Sequence, residues 1–265
     1  MRSVENDLKH IVSFSGGKDS TAMLLLLLEQ NKPIDEVVFF DAGSWDFPEM
    51  RHHIDKVEKY TGVKITRLQA QKSFDYWMFE HLVENGKNKG QVGYGFPGVK
   101  FRWCTSEKIR TINNYMSNNY KTISTYIGYA FDEQWRANKN KDKSNIYPLI
   151  ESEISENQAL AMCYNYGFTW DGLYEHFRRV SCWCCPLQRI SELRKLYNLY
   201  PDLWKKLEDM QKRTNSYFRM DGKKVDDLTK RFEAEKLQIS LFNNDEAYTQ
   251  CGIMKTYVMP RFYLE

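Results

Sequence analysis

The segment Ser13-Phe14-Ser15-Gly16-Gly17-Lys18-Asp19-Ser20 constrains this chain more than any other. It follows an apolar run, His10 to Phe14, and leads into a second, Ala22 to Leu28. A strand that turns through two glycines straight into a helix aims backbone amides and the helix's positive end at one point, a geometry that suits phosphate. The glycine-to-lysine spacing is shorter than a Walker A loop needs. An ordinary strand-to-helix turn does not call for two glycines, two hydroxyls and a lysine in this order. The pattern therefore assigns Ser13, Ser15, Gly16, Gly17, Asp19 and Ser20 to phosphate binding, with Lys18 adding charge, and makes Lys18 and Asp19 candidate catalytic residues.

The rest of the N-terminal half alternates short β-branched or aromatic runs with helical patterns, as a parallel sheet flanked by helices does. Strands are expected at 10–14, 36–40, 64–68 and 121–127, and helices at 20–30, 48–61 and 106–116, the first capped around Asp19 and Ser20 and the second carrying Pro48 in its first turn. Residues 85–98 hold five glycines and a proline and read as a mobile loop of the kind that covers sites. From a Ser155 to Gln158 capping box onward the pattern turns helical, through 188–197, 201–213 and 225–236. The expected class is α/β, with a nucleotide-binding core over residues 1–150 and a helical, cysteine-bearing subdomain over 151–265.

Several motifs resemble one family. Ser15 to Ser20 matches the SGGxDS loop of the PP-loop ATP pyrophosphatases, the adenine nucleotide alpha hydrolase superfamily. Phe40-Asp41-Ala42-Gly43 with Phe47-Pro48-Glu49 is similar to a segment of its phosphoadenosine phosphosulfate (PAPS) reductase branch, as are Gly128 to Arg136 and Tyr147-Pro148-Leu149. In an open parallel sheet, ligands bind beyond the carboxyl ends of the strands, where the loop, Asp41, Gly43, Gly128 and Asp132 would converge on one adenine nucleotide, ATP or a relative. Arg136 reads equally as a phosphate or sulfate ligand and as a surface ion-pair partner, and Asp41 and Asp132 also suit loop capping. The branch has an arginine where this chain has Ala130, which favours ATP over a sulfonucleotide.

Six cysteines, with Cys182, Cys184 and Cys185 inside four residues, are unlike a secreted disulfide framework. Cys182 and Cys185 form a C-x-x-C pair, and Cys104 follows Arg102-Trp103 at the start of an expected helix. Thiolates converging from two segments suit either tetrahedral zinc or an iron–sulfur cluster. The resemblance implies a [4Fe-4S] cluster on Cys104, Cys182 and Cys185. Trp103 replaces the first cysteine of the family's earlier pair, so the fourth iron is held by Cys184 or stays open, as in sulfur-inserting members of the superfamily. Cys163 lies among apolar residues and reads as core, and His52, His53, His81 and His176 show no ligand spacing. Cys251-Gly252-Ile253 faintly resembles the tail carrying the nucleophilic cysteine of PAPS reductases.

Composition adds bounds. A formal charge of +3 implies nucleic-acid binding only if charge is concentrated on one face. No apolar run approaches the roughly 18 residues of a membrane span, and a cytoplasmic protein is expected. Phe168, Trp170, Tyr174 and Phe177 with Arg178 and Arg179 could stack bases, but their helical spacing favours core packing, and Lys139, Lys141 and Lys143 read as a solvated loop.

These readings lead to an enzyme that cleaves ATP between its α- and β-phosphates with Mg²⁺, adenylylates an acceptor and passes sulfur to it, the acceptor being DNA, tRNA or a small molecule and the sulfur coming from a donor protein. The alternatives are a sulfonucleotide reductase using Cys251 with a thioredoxin-like partner, and a nucleotide-sensing subunit without turnover. The sequence leaves the oligomeric state open.

Overall fold

The computed structural model describes residues 8–140 and 142–249, with side chains as far as residue 238. Its elements run β1 (Leu8–Phe14), α1 (Lys18–Glu29), β2 (Glu36–Phe40), α2 (Pro48–Thr61), β3 (Ile65–Leu68), α3 (Phe74–Phe79), α4 (Trp103–Asn119), β4 (Thr122–Ile127), α5 (Gln134–Lys139) and β5 (Asn145–Ile146). Six further helices follow: α6 (Pro148–Glu151), α7 (Glu156–Asn165), α8 (Leu173–His176), α9 (Ile190–Leu199), α10 (Pro201–Lys212) and α11 (Val225–Thr249). The strands form a parallel sheet in the order β3-β2-β1-β4-β5. The chain moves one way from β1 and returns to its other side with β4, so the switch point lies beside the carboxyl end of β1, where an open α/β sheet leaves a crevice.

Side chains alternate across the sheet. Val12, Phe14, Val37 and Phe39 enter the larger core, whereas Ile11 and Val38 pack with Met116 of α4 on the opposite face. Helix α1 is buried from Ser20 to Leu27 because it lies against α6 and α7 as well as the sheet, which accounts for a leucine run with no polar stripe. The same core continues through Cys163, Leu196, Trp204 and Phe232, so the sheet and the later helices share one interior. Ser155 and Gln158 make the expected capping box at the start of α7.

Two local expectations change. Helix α1 begins at Lys18 with Gly17 as its N-cap and no side-chain cap; the Lys18 amide donates instead to the Tyr174 hydroxyl at 2.8 Å. The glycine-rich segment is tied down rather than loose. Gly93, Tyr94 and Gly95 amides donate to the carbonyls of His81, Trp77 and Met78 at 2.7, 2.9 and 3.0 Å, and the Phe96 amide donates to Ser216 Oγ at 3.0 Å. Its glycines permit that close return, since a Cβ on Gly93 would lie 2.2 Å from the Met78 carbonyl.

Candidate active site

Beyond β1 the chain turns at Ser15 and at Gly16, whose φ of +74° places it in the left-handed region. Ser20 closes the loop on itself. Its hydroxyl donates to the Gly17 carbonyl at 3.0 Å and accepts from the Ser15 amide at 3.2 Å. Trp170 braces the turn from behind, its indole N–H donating to the Gly16 carbonyl at 2.7 Å. That ring stacks on buried His53 at 4.1 Å, and His53 Nε2 lies 3.0 Å from Thr21 Oγ1. Burial pushes His53 down to about 3, so the ring is neutral at neutral pH. The first intrahelical bond of α1 runs from the Thr21 amide to the Gly17 carbonyl, which leaves the Asp19 and Ser20 amides at the helix head without intrahelical acceptors.

Ser15, Gly17, Lys18 and Asp19 line a cavity of about 340 Å³. Lys18 is buried there, its Nζ 2.8 Å from Glu156 Oε2 and 3.0 Å from Asp19 Oδ2. The shared cation lowers both carboxylates, but burial outweighs it at Asp19, which is raised, whereas the Lys18 hydrogen bond prevails at the less buried Glu156, which is lowered. Arg136 also lines the cavity, pairing with Glu133 at 2.7 Å and covering the Tyr129 ring at 4.0 Å. Arg178 and Arg179 reach Glu156 and Glu133 at 3.9 Å and add positive charge to the same wall.

The far side of this cavity carries Asp46, Lys108, Cys104 and Cys182. The cysteine loop is fastened by other side chains and by backbone. Trp183 donates through its amide to the Trp45 carbonyl at 3.1 Å and through its indole to the Ser44 carbonyl at 2.8 Å. Asp46 and Cys182 form an isolated antiparallel bridge. Gln188 Nε2 donates to the carbonyls of Cys182 and Trp183, both at 3.0 Å, and Arg219 Nη1 donates to those of Pro186 and Gln188. Burial raises all three thiols, Cys104, Cys182 and Cys185; negative charge on Cys185 and Cys104 would raise Cys182 further, and charge on Cys104 would raise Cys185. Burial likewise lifts Asp46 to about 6.

The structure thus brings the loop, Arg136, Cys104 and Cys182 to one space, with Cys185 beside the other two thiols. It does not bring every expected residue there. Ser13 sits within β1 on the Ile11 face and lines a separate cavity against α4, because a strand turns alternate side chains to opposite faces. Asp41 accepts from the Gly43 amide at 2.8 Å and from Gln69 at 2.9 Å, and Asp132 accepts from the Glu156 amide at 3.1 Å, so both cap loops. Gly128 serves a close approach: a Cβ there would lie 3.0 Å from Ser20 Cα and amide nitrogen. Cys184 does not line the cavity and is fully buried, but it lies near enough to Cys182 and Cys185 for charge on either to raise its thiol, whereas Cys163 is buried against the carbonyl of Lys18. Phe168, Trp170 and Phe177 are core residues. Cys251 lies outside the described residues.

Asp46, Lys108, Glu133 and Glu156 were not marked by sequence as site residues, and Tyr174, read from its spacing as core, also lines the cavity. Two had a visible signal: Asp46 stands between the two halves of the Phe40 to Glu49 segment, and Glu133 follows Asp132.

The donor chemistry fits an iron–sulfur cluster. Cys104, Cys182 and Cys185 are soft ligands close enough to influence one another's charge. Among the described residues no three His, Cys, Asp or Glu side chains gather tightly enough to hold a single ion. Thiolates of this kind are the residues that would hold either a zinc ion or an iron–sulfur cluster.

Fold and loop together define a PP-loop α/β protein of the adenine nucleotide alpha hydrolase superfamily. The chain belongs to the phosphoadenosine phosphosulfate reductase domain family, whose model matches residues 9–188. It is similar to two proteins of Methanocaldococcus jannaschii. With uncharacterized protein MJ0066 it shares 30% identity over 76% of this chain and 41% of the relative, and with uncharacterized protein MJ0973 29% over 76% and 47%. The chain therefore spans less than half the length of these curated relatives. Among solved structures, the U34-tRNA thiolase NcsA from Methanococcus maripaludis with its [4Fe-4S] cluster aligns over 87% of this chain and 73% of its own, at 16% identity and a TM-score of 0.41. Among the described residues no helix is long and apolar enough to cross a membrane.

Proposed function

We propose that this chain is an ATP-using enzyme that adenylylates an acceptor oxygen and then exchanges that oxygen for sulfur. The observation that carries the reading is the shared cavity, with the phosphate loop on one wall and Cys104 and Cys182 on the other. Residues 1–150 supply the loop and Cys104, and residues 151–265 supply Cys182 and Cys185.

In the first step an acceptor oxygen attacks the α-phosphorus, the α–β bridging bond breaks, and pyrophosphate leaves with the bonding electrons. The Asp19 and Ser20 amides at the head of α1, together with Lys18, stabilise the charge that accumulates on the leaving group. Arg136, Arg178 and Arg179 hold further phosphate oxygens. Magnesium arrives with the phosphates, as Mg²⁺ commonly does, and supplies additional neutralisation. In the second step a sulfur nucleophile displaces AMP from the activated acceptor carbon, so atoms and charge balance without an external reductant. A [4Fe-4S] cluster on Cys104, Cys182 and Cys185 supplies, when bound, an iron able to hold inorganic sulfide. The buried Asp46 beside Cys182 and the Gln188 and Arg219 clamps keep the cysteine loop facing the nucleotide end. The cations on the wall favour a polyanionic acceptor, a nucleic acid.

The test is pyrophosphate release from ATP by wild type and by Cys251→Ser. Retained release in the variant supports adenylylation, which needs no thiol nucleophile. Sulfite release from adenylyl sulfate or PAPS with thioredoxin, abolished by Cys251→Ser, would establish the reductase instead.

A further inference from the structure

Helix α3 and the glycine-rich segment after it enclose a groove of about 520 Å³ that lies outside the cavity described above. Four rings meet along it. Trp77 and Tyr94 are nearly parallel, 5.9 Å apart with 6° between planes; His81 lies 4.7 Å from each, and Phe101 meets Tyr94 edge-on at 4.9 Å. Aromatic rings in this protein mostly fill the core, yet Phe101 is 52% exposed and Val92 on the same segment 64%. Asn88 and Gln91 on the groove wall add amides that can both donate and accept hydrogen bonds.

The surrounding charge is one-sided. Lys87, Lys89, Lys100 and Arg102 are all exposed and face one acid, Glu84, within residues 84–102. That short stretch carries an excess of basic residues as large as the whole chain's formal +3, with Lys87 and Glu84 on the groove wall itself and Lys89, Lys100 and Arg102 exposed beyond it in the same stretch. The groove also adjoins the candidate active site: Tyr94 lies 6.4 Å from the Trp103 ring, and Trp103 directly precedes Cys104 on the cavity wall.

We propose that this groove binds a single-stranded stretch of nucleic acid and delivers an unpaired nucleotide towards the cysteine side of the cavity. The proposal rests on the reading that the acceptor is a nucleic acid. The exposed Phe101 ring, braced by the half-buried Tyr94, His81 and Trp77, stacks an unpaired base, amides meet base edges, and flanking lysines follow the phosphates, a combination that a duplex with internally stacked bases does not satisfy. RNA and DNA strands share this chemistry and differ in the 2′-hydroxyl.

Fluorescence anisotropy with labelled oligonucleotides of about 12 nucleotides, as single-stranded RNA, single-stranded DNA and duplex DNA, tests it. Both single strands should bind more tightly than the duplex. Phe101→Ala should weaken them about tenfold, the scale of one lost base stack. The double variant Lys87→Glu with Lys89→Glu should weaken them and flatten the salt dependence. ATP affinity should be unchanged in all variants, because these residues lie outside the nucleotide cavity. Tighter RNA binding assigns a 2′-hydroxyl contact, and equal affinities assign backbone and stacking alone; either result supports the groove. Duplex binding as tight as single strands, no oligonucleotide binding by wild type, or wild-type affinity in the variants would overturn it. A wild type that binds single strands through the groove but does not bind ATP keeps this proposal and removes the adenylylation reading.

Discussion

The indole N–H of Trp170 donates to the carbonyl of Gly16 at 2.7 Å, linking a residue in the later half of the chain to the turn of the phosphate loop. Trp170 itself has a φ of +50°, an unfavourable conformation for a non-glycine residue, and buries its ring against His53. Trp170→Phe keeps most of the buried surface but leaves the Gly16 carbonyl without its indole donor. Denaturant unfolding should show a loss of about 1–3 kcal/mol. Calorimetry should show weaker ATP binding because the loop loses its brace.

Neighbouring glycines should behave differently. A Cβ on Gly16 combines a φ of +74° with a contact 2.9 Å from Met50 Cε, so Gly16→Ala should lower stability. Gly17 has an ordinary φ of −79°, and a Cβ there meets only the Tyr174 hydroxyl at 3.3 Å and Ser15 Oγ at 3.6 Å. Gly17→Val should stay folded and lose ATP affinity, because its branches occupy space that phosphate needs. Asp19→Ala should lose ATP affinity as well. Undiminished ATP affinity in a folded Gly17→Val protein would remove the loop from the proposed chemistry.

Metal content should separate the cysteines. Cys104→Ser, Cys182→Ser and Cys185→Ser should each lose iron and labile sulfide after anaerobic purification. Cys163→Ser should retain both, since Cys163 is buried against Lys18, away from the other thiols. Cys184→Ser should also retain them, with some loss of stability from a hydroxyl placed in the core. Full occupancy in all three ligand variants would reduce the cysteines to a structural role.

His53 gives the fold a definite pH dependence. Its ordinary value of 6.5 falls to about 3 in the folded protein through burial. Between those values the unfolded chain binds a proton that the folded chain does not. This contribution to stability is therefore complete above 6.5 and declines as pH falls towards 3. At about pH 5 the loss is on the order of 2 kcal/mol. Urea titrations of wild type and His53→Gln should show a shallower acid slope in the variant, and identical slopes would contradict the assignment.

Local patterns made much of this architecture legible. The strands at 36–40 and 121–127 and the helix at 48–61 follow from alternation, apolar periodicity and Pro48, and the Ser155 cap from its partner Gln158. Ser13 shows a limit of motif reading: the motif includes it, while the twofold alternation of β1 places it with Ile11 on the other face. Tyr174 shows another, because its bond to the Lys18 amide joins residues 156 positions apart and leaves no local trace. Asp132 was visible as a loop residue in the sequence, and Glu156 at the start of α7 was not. Only the fold shows that one carboxylate caps the amide of the other, whose own carboxylate then holds Lys18.

The central claim is that nucleotide and cluster share one cavity, and the electron paramagnetic resonance spectrum of the reduced, anaerobically purified protein tests it most directly. Adding ATP with Mg²⁺ should shift the cluster signal, because Lys18 and Asp19 line the same cavity as Cys104 and Cys182. The shift should vanish in Gly17→Val. A protein that binds ATP by calorimetry while its cluster signal stays unmoved, or that takes up no iron, would contradict the claim.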